Sequence, residues 1–339
     1  MKVVSTLAQN MTLRRTVASM QERLLTARTQ MGTYAKAETY GGYGAKSSVM
    51  LSLRSNLSAI EQYQSSIGQA LTRTEVMQNA LSITRDSAAE VGQLALSSLN
   101  SETERATIQP TASNRLEQVV SALNTRLGDR YLFSGNERAT EPVKSAEEIV
   151  TALQQVVATL DPNSPTYVDD VMAAADAMFA DVSTWYNGQS IPANGTPPDR
   201  SGAAAQADTS TAVQYGVRAD EQSLLDTVKS LALLSAFSES DFPDGESYRA
   251  FADKVGSDLM ENRNAVTATQ ADLGLREEQL QSLSDKHTRS RNSIEVQIAN
   301  IENVDMFEAV SLVEQLEAQL QATYTVATRM QSMSLVHYL

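Results

Sequence analysis

The sequence predicts a mainly α protein, an elongated antiparallel helical rod with terminal coiled-coil helices and a small variable central insertion. Three observations lead there. Hydrophobic residues make up 42% of the chain but aromatics only 5%, so the apolar material is Ala, Leu, Val, Ile and Met, the set that packs helices. Pro110 stands alone early and the other prolines fall between Pro142 and Pro243, which leaves long proline-free runs on both sides. Within those runs apolar residues recur at steps of three and four, the spacing that gathers side chains on one helix face.

Near the N-terminus Leu13, Val17, Met20, Leu24, Ala27 and Met31 alternate steps of four and three, a heptad stripe. The stripe breaks at residues 32–48, GTYAKAETYGGYGAKSS. There Gly32, Gly41, Gly42 and Gly44 supply turns, and Tyr34, Tyr40 and Tyr43 supply rigid contact surface, so the segment reads as a linker that packs. From 47 to about 99 no proline interrupts a helical period carried by Leu53, Leu57, Ile60, Ile67, Leu71 and Leu81. One helix of roughly 80 Å is allowed there. SETE at 101–104 has the Ser-x-x-Glu form of a capping box. A further helix through Leu116, Val119, Val120, Leu123 and Leu127 is expected to stop at Gly128, before RYLFSGNE.

The middle differs in composition. Residues 136–215 hold Pro142, Pro162, Pro165, Pro192, Pro197 and Pro198, with amphipathic stretches near 146–160 and 168–184, and NGQSIPANGTPPDRSGAAAQADTS reads as loop or short hairpin. Beyond it a second long helix spans about 247–303 through Leu273, Leu280, Leu283, Ile294, Ile298 and Ile301. DMFE at 305–308 reads as a new N-cap. A last stripe of Ala309, Val313, Leu316, Leu320 and Ala327 leads into an apolar tail, MSLVHYL. The expected organisation is therefore near-palindromic. Residues 1–35 and 304–339 form terminal helices, 45–137 and 215–303 a rod domain, and 138–214 an outward-facing insertion.

Charge separates the two ends. The formal net charge is −14, which argues against a general nucleic-acid binder, because such a protein needs a basic field to displace counterions. Residues 1–35 carry net +4 and residues 300–339 net −4, and complementary charge beside apolar seams is how helix partners are chosen. No run of apolar residues is long enough to cross a bilayer, and the first twenty residues lack a signal-peptide core. Membrane insertion is not expected, and the chain is expected to be cytoplasmic or exported by a route that reads no cleaved signal.

Catalysis is not indicated. With no cysteine there is no disulfide, thiolate or Cys-ligated metal, and two histidines fifty positions apart, His287 and His337, make no ligand set. No GxGxxG, P-loop, GxSxG or HExxH stands in the chain, so no cofactor, metal or catalytic residue is expected. NGT at 194–196 matches a glycosylation acceptor, and a polar turn is the preferred reading. What does call for explanation is the pair of terminal stripes. Two helices of this length bury only part of their apolar surface on each other, and the remainder invites other copies.

Three stretches carry a resemblance. RYLFSGNE at 130–137, with Tyr131, Leu132, Phe133, Ser134 and Gly135 at its centre, is similar to a signature that follows the second rod helix of bacterial flagellin-family axial proteins of the hook-filament junction type. SLVHYL at 334–339 resembles their C-terminal ending, and EQYQSSIGQALTRTEVMQNAL at 61–81 their first rod helix. The resemblance covers about 1–137 and 215–339. In place of the family's usual segment after the first helix stands the tyrosine-glycine linker.

The resemblance implies a non-enzymatic structural subunit of the bacterial flagellum, exported by type III secretion and located outside the cell. It would join hook to filament as a ring of about eleven copies, between a neighbouring hook-associated protein and flagellin, and would be held before assembly by an export chaperone. The subunit contacts it implies run through Leu13, Val17, Met20, Leu24 and Met31 at one end and Val313, Leu316, Leu320, Met330, Leu335, Tyr338 and Leu339 at the other. Deleting 333–339 is then expected to abolish ring assembly. Flagellin itself and a non-flagellar soluble coiled-coil adaptor are the alternative readings.

Overall fold

The computed structural model describes residues 6–98, 101–135, 137–187 and 203–336; for residues 6, 7, 9, 10 and 330–336 it describes the backbone. The described residues are mainly helical, as the sequence predicts. They fall into two compact units, a terminal unit of the residues up to Glu61 with those from Thr288 onward, and a central unit of Gln62–His287.

In the terminal unit the first helix, α1 (Thr6–Thr33), ends where Tyr34 takes a left-handed φ of 60°. A stretch with 3-10 turns at Tyr40–Lys46 follows, and α2 (Ser47–Ser97) starts directly after it. The expectation of one unbroken helix from 47 to about 99 is met to within two residues, because nothing in that run breaks the backbone ladder.

The central unit opens on the rest of α2. Ser101 then caps α3 (Glu102–Arg105) by accepting a hydrogen bond from the Glu104 amide at 3.3 Å, but the helix it starts is a single turn. The longer helix is α4 (Ile108–Leu123), which tolerates Pro110 in its first turn, where that N–H has no partner to lose. This helix ends at Leu123, not at Gly128. The next residues pair as a two-stranded hairpin, β1 (Arg126–Leu127) with β2 (Arg130–Tyr131), and Gly128 supplies the turn with a φ of 67°.

The expected amphipathic stretches are α5 (Ala146–Val157), opened by a full capping box of Ser145 and Glu148, and α6 (Tyr167–Ala180). The second antiparallel hairpin is β3 (Ala204–Gln206) with β4 (Ala212–Gln214). Pro192, Pro197, Pro198 and the NGT triplet lie outside the described residues.

One helix escaped the sequence reading. The α7 helix (Gln222–Ala236) packs on α4, α5 and α6 and is buried on every side over its last seven residues, so a polar face, Gln222, Asp226 and Lys229, marks its period only in the first half. It forms the centre of the core. The last long helix, α8 (Gly245–Glu302), crosses α2 within the central unit at a pair of glycines, and α9 (Met306–Val336) follows. Asp305 caps α9 as expected, its Oδ1 accepting from the amides of Phe307 at 2.9 Å and Glu308 at 3.3 Å.

Aromatics are few but concentrated. Phe237, Phe242, Tyr248 and Phe251 pack ring on ring, with Phe242 and Phe251 centroids 4.8 Å apart. Burial pushes the Tyr248 phenol up to about 12. Each such ring contributes far more buried area than the Ala, Leu and Val around it, so this cluster anchors the end of the unit where α7 meets α8.

Candidate assembly surface

In the terminal unit α1 and α9 pack together. Gln21 donates to the Tyr324 hydroxyl at 2.9 Å, Arg28 pairs with Glu317 at 2.6 Å, and the Val304 amide donates to the Tyr34 carbonyl at 3.0 Å. Partner numbers fall on α9 as they rise on α1, so the two helices are antiparallel.

Their seam is the pair of stripes read from the sequence. Ala27 on α1 and Ala309, Leu316 and Leu320 on α9 are buried, while Leu13, Val17, Met20, Leu24, Met31 and Val313 are half-buried. Burial of the described seam is thus incomplete. Away from the seam Met11, Leu25, Val310, Tyr324 and Val326 are exposed, and Phe307 is 86% exposed. Large apolar side chains on water at this density mark surfaces that meet partners. The side chains of Met330 and Leu335, and all of Tyr338 and Leu339, lie outside the described residues.

The tyrosine-glycine linker is strapped to the joint between α8 and α9. Lys36 N–H donates to Glu302 O at 2.7 Å, and with the Tyr34 bond to Val304 this makes a short antiparallel bridge of Ala35 with Asn303. Arg54 fastens both sides. Its guanidinium donates to Glu302 at 2.9 and 3.1 Å and to the Tyr40 hydroxyl at 2.8 Å, which raises its own pKa further. Tyr43 closes the loop on the Ala37 carbonyl at 2.7 Å. Sequence reading gave a linker that packs; it gave no sign of Arg54 and Glu302, which stand 248 positions apart.

The signature stretch lies in the central unit and works as a fastener. Leu132, Phe133 and Ser134 are buried and Tyr131 is half-buried, with Arg126 over its ring. Gly135 takes a φ of 66° with the Arg218 side chain against it, so a side chain there would be strained. The Phe133 carbonyl accepts the Ala219 amide at 3.0 Å, which ties the first hairpin to the segment that leads into α7. Beside it Arg218 and Asp220 form a buried ion pair, with Nε to Oδ1 at 2.7 Å and Arg218 over the Tyr186 ring at 6.0 Å. Burial raises the Tyr186 phenol well above its ordinary range. No sequence signal singled out Arg218, Asp220 or Tyr186, since a charged pair two residues apart is usually solvated.

His287 is buried, stacks on Tyr63 at 5.6 Å and bonds the Ala207 carbonyl at 2.6 Å, holding the second hairpin. Its surroundings are those of a packing residue. Among the described residues no cluster of three metal-ligating side chains occurs, and no helix is long and apolar enough to cross a membrane.

Residues 4–138 match the bacterial flagellin N-terminal helical region, and residues 258–339 match the bacterial flagellin C-terminal helical region. No curated protein matches the chain. Among solved structures it is similar to a flagellar hook-associated protein from Vibrio parahaemolyticus, at TM-score 0.50 and 14% identity over 76% of this chain and 97% of that one. It is similar also to FlgL of Bacillus cereus, at TM-score 0.50 and 16% identity over 73% of this chain and 98% of that one. At such identities the likeness is one of fold. Matched at both of its ends by the helical regions that define the group, the chain belongs to the flagellin family and is a structural protein of the flagellar axis.

Proposed function

We propose that this chain is the hook-filament junction subunit, hook-associated protein 3, a non-enzymatic protein exported without a cleaved signal that assembles as a ring of about eleven copies outside the cell. The observation that carries the reading is the α1–α9 pair, whose seam is half-buried and whose outer sides hold Met11, Leu25, Phe307, Val310 and Tyr324 in water. Neighbouring copies would cover these side chains. The subunit contacts expected at Leu13, Val17, Met20, Leu24, Met31, Val313, Leu316 and Leu320, and in the tail at Met330, Leu335, Tyr338 and Leu339, belong to this proposal.

Support for the junction within the family comes from the YLFSG stretch, and from two structural neighbours of which one is a hook-associated protein and the other FlgL. Residues 138–214 would face outward, a hook-associated protein and flagellin would lie on either side, and an export chaperone would hold the C-terminal part beforehand. Negative-stain microscopy of cells lacking the chain tests the reading. Hooks without filaments, with flagellin shed to the medium, is the expected result, and normal filaments would sink it.

The flagellin matches at both ends favour one other reading, the filament subunit itself. Abundance separates the two. A filament subunit dominates a sheared preparation, whereas a junction subunit is a trace band.

A further inference from the structure

Phe307 and a hollow lie on opposite sides of the same turn of α9. The hollow has a volume of about 550 Å³ and is lined by Lys36, Val304, Ala309 and Leu312, with the carboxylates of Asp305 and Glu308 beside them. At about 100° per residue, Phe307 and Leu312 point some 140° apart around the helix. The seam residues Ala309, Leu316 and Leu320 fix where α1 lies.

The two sides of the helix pair differ in character. Gln21 and Arg28 reach Tyr324 and Glu317 on the side that also carries Phe307 and Val310, and Leu25 of α1 projects the same way. Gln30 lies on the other side, against the hollow. One side therefore gathers exposed large apolar groups, and the other offers a concave site.

The hollow suits an aromatic ring. Val304 and Leu312 give it apolar walls, and Asp305 and Glu308 bring carboxylates that the positive edge of a ring can meet. Lys36, held by its ammonium donating to the Asn300 carbonyl at 3.1 Å, puts a cation at its margin, the charge that the face of an aromatic ring attracts. A knob and a hole on opposite sides of one protomer cannot satisfy each other within it, nor across a two-fold axis. They match when copies follow one another head to tail, the arrangement that closes into rings.

We propose that Phe307 of one copy seats in the hollow beside Leu312 of the next, and that this heterologous contact sets the order of subunits around the ring. The contact rests on the ring-forming reading above and names the partner surface within it.

The cysteine-free chain makes the test clean, since any disulfide must come from introduced residues. The doubly substituted chain Phe307→Cys, Leu312→Cys replaces the native one in flagellated cells, mild oxidant is added, and non-reducing gels are run. A ladder from dimer upward is expected, with no ladder from either single substitution. Dimers from Phe307→Cys alone would mean that like faces meet, and would overturn the proposal. A monomeric double variant on flagella that still carry filaments would overturn it too, while leaving the junction role in place. Should the double variant not assemble, Phe307→Ala decides. Filaments per cell are expected to fall at least tenfold (about 1.4 kcal/mol), with recovery in Phe307→Leu, and a native filament number would overturn the contact. Filaments on cells lacking the chain altogether would remove both the contact and the junction role.

Discussion

Gly92 and Gly256 face each other where α2 crosses α8, so closely that a Cβ on Gly92 would stand 3.1 Å from the Gly256 carbonyl oxygen and 3.0 Å from Cβ of Leu259. Two helices approach this near only where neither carries a side chain at the crossing. Gly256→Leu would drive four heavy atoms into Ala95 and Leu96, whose nearest atoms lie 3.1 Å from the Cβ position. Overpacking of this kind costs about 1–3 kcal/mol, more than the roughly 1 kcal/mol gained by removing a glycine from a helix. Thermal unfolding followed by circular dichroism is expected to show a lower midpoint; an unchanged or raised midpoint would show that the helices part freely.

Asp220→Asn removes one charge of a pair whose side chains are each 4% exposed, leaving the Arg218 guanidinium beside a neutral amide. Losing one partner of a buried pair costs about 3–5 kcal/mol. Glu246→Gln, which breaks the exposed pair with Arg249, is the control, expected within about 1 kcal/mol of the parent. Urea midpoints for the two variants check the ranking, and equal midpoints would contradict it.

Two carboxylates tie stability to pH with opposite sign. Hydrogen bonding from Arg105 holds Glu239 below its ordinary range, so its contribution is present above the usual carboxylate pKa and is lost as pH falls through the depressed value. Burial holds Glu221 above its ordinary range, so its ionisation costs stability as pH rises from the ordinary value through the raised one. Glu239→Gln is expected to destabilise the protein at neutral pH and to match the parent in acid. Glu221→Gln should gain on the parent across the raised window. Denaturation midpoints measured between pH 3 and 7 (about the usual Glu range and above) decide both, and curves parallel to the parent at all pH would refute the assignments.

Arg54→Met cuts the strap between the tyrosine-glycine linker and the α8–α9 joint while keeping a stem of similar size. The pair with Glu302 is partly exposed, worth up to about 1 kcal/mol, so the amides of Lys36 and Val304 are expected to exchange a few-fold faster, by less than about tenfold. Hydrogen exchange read by mass spectrometry tests this. Unchanged protection of residues 34–46 would show that the backbone bridge holds alone.

Much of this architecture was legible because helices announce themselves by period. The stripe from Leu13 to Met31, the proline-free run behind α2 and the Asp305 cap each rest on neighbours within a turn or two, and these are where sequence and structure agree. The failures have a shared cause. Over its last seven residues α7 has no polar face to show a period, and the end of α4 was placed at Gly128 because a glycine serves a hairpin turn as well as a helix end. The α1–α9 pairing was half readable. The seams could be traced, and the helical period alone sets Phe307 off its seam, but the hollow is built from Lys36, Val304 and Leu312, which only the tertiary fold brings together. Arg54 with Glu302, and Gly135 with Arg218, join residues far apart in the chain, and no local pattern marks such partners.

The placement of α7 also sets an order of events during synthesis. The core of the central unit closes when α7 fits among α4, α5 and α6, yet α4 leaves the ribosome long before α7 does. Until then the buried face of α4, from Ile108 to Leu123, has no cover from its final neighbour. Closing so long a loop is slow relative to local helix formation. Helices as short as α4, α5 and α6 are marginal alone, so they gain their stability only once α7 has arrived to pack against them.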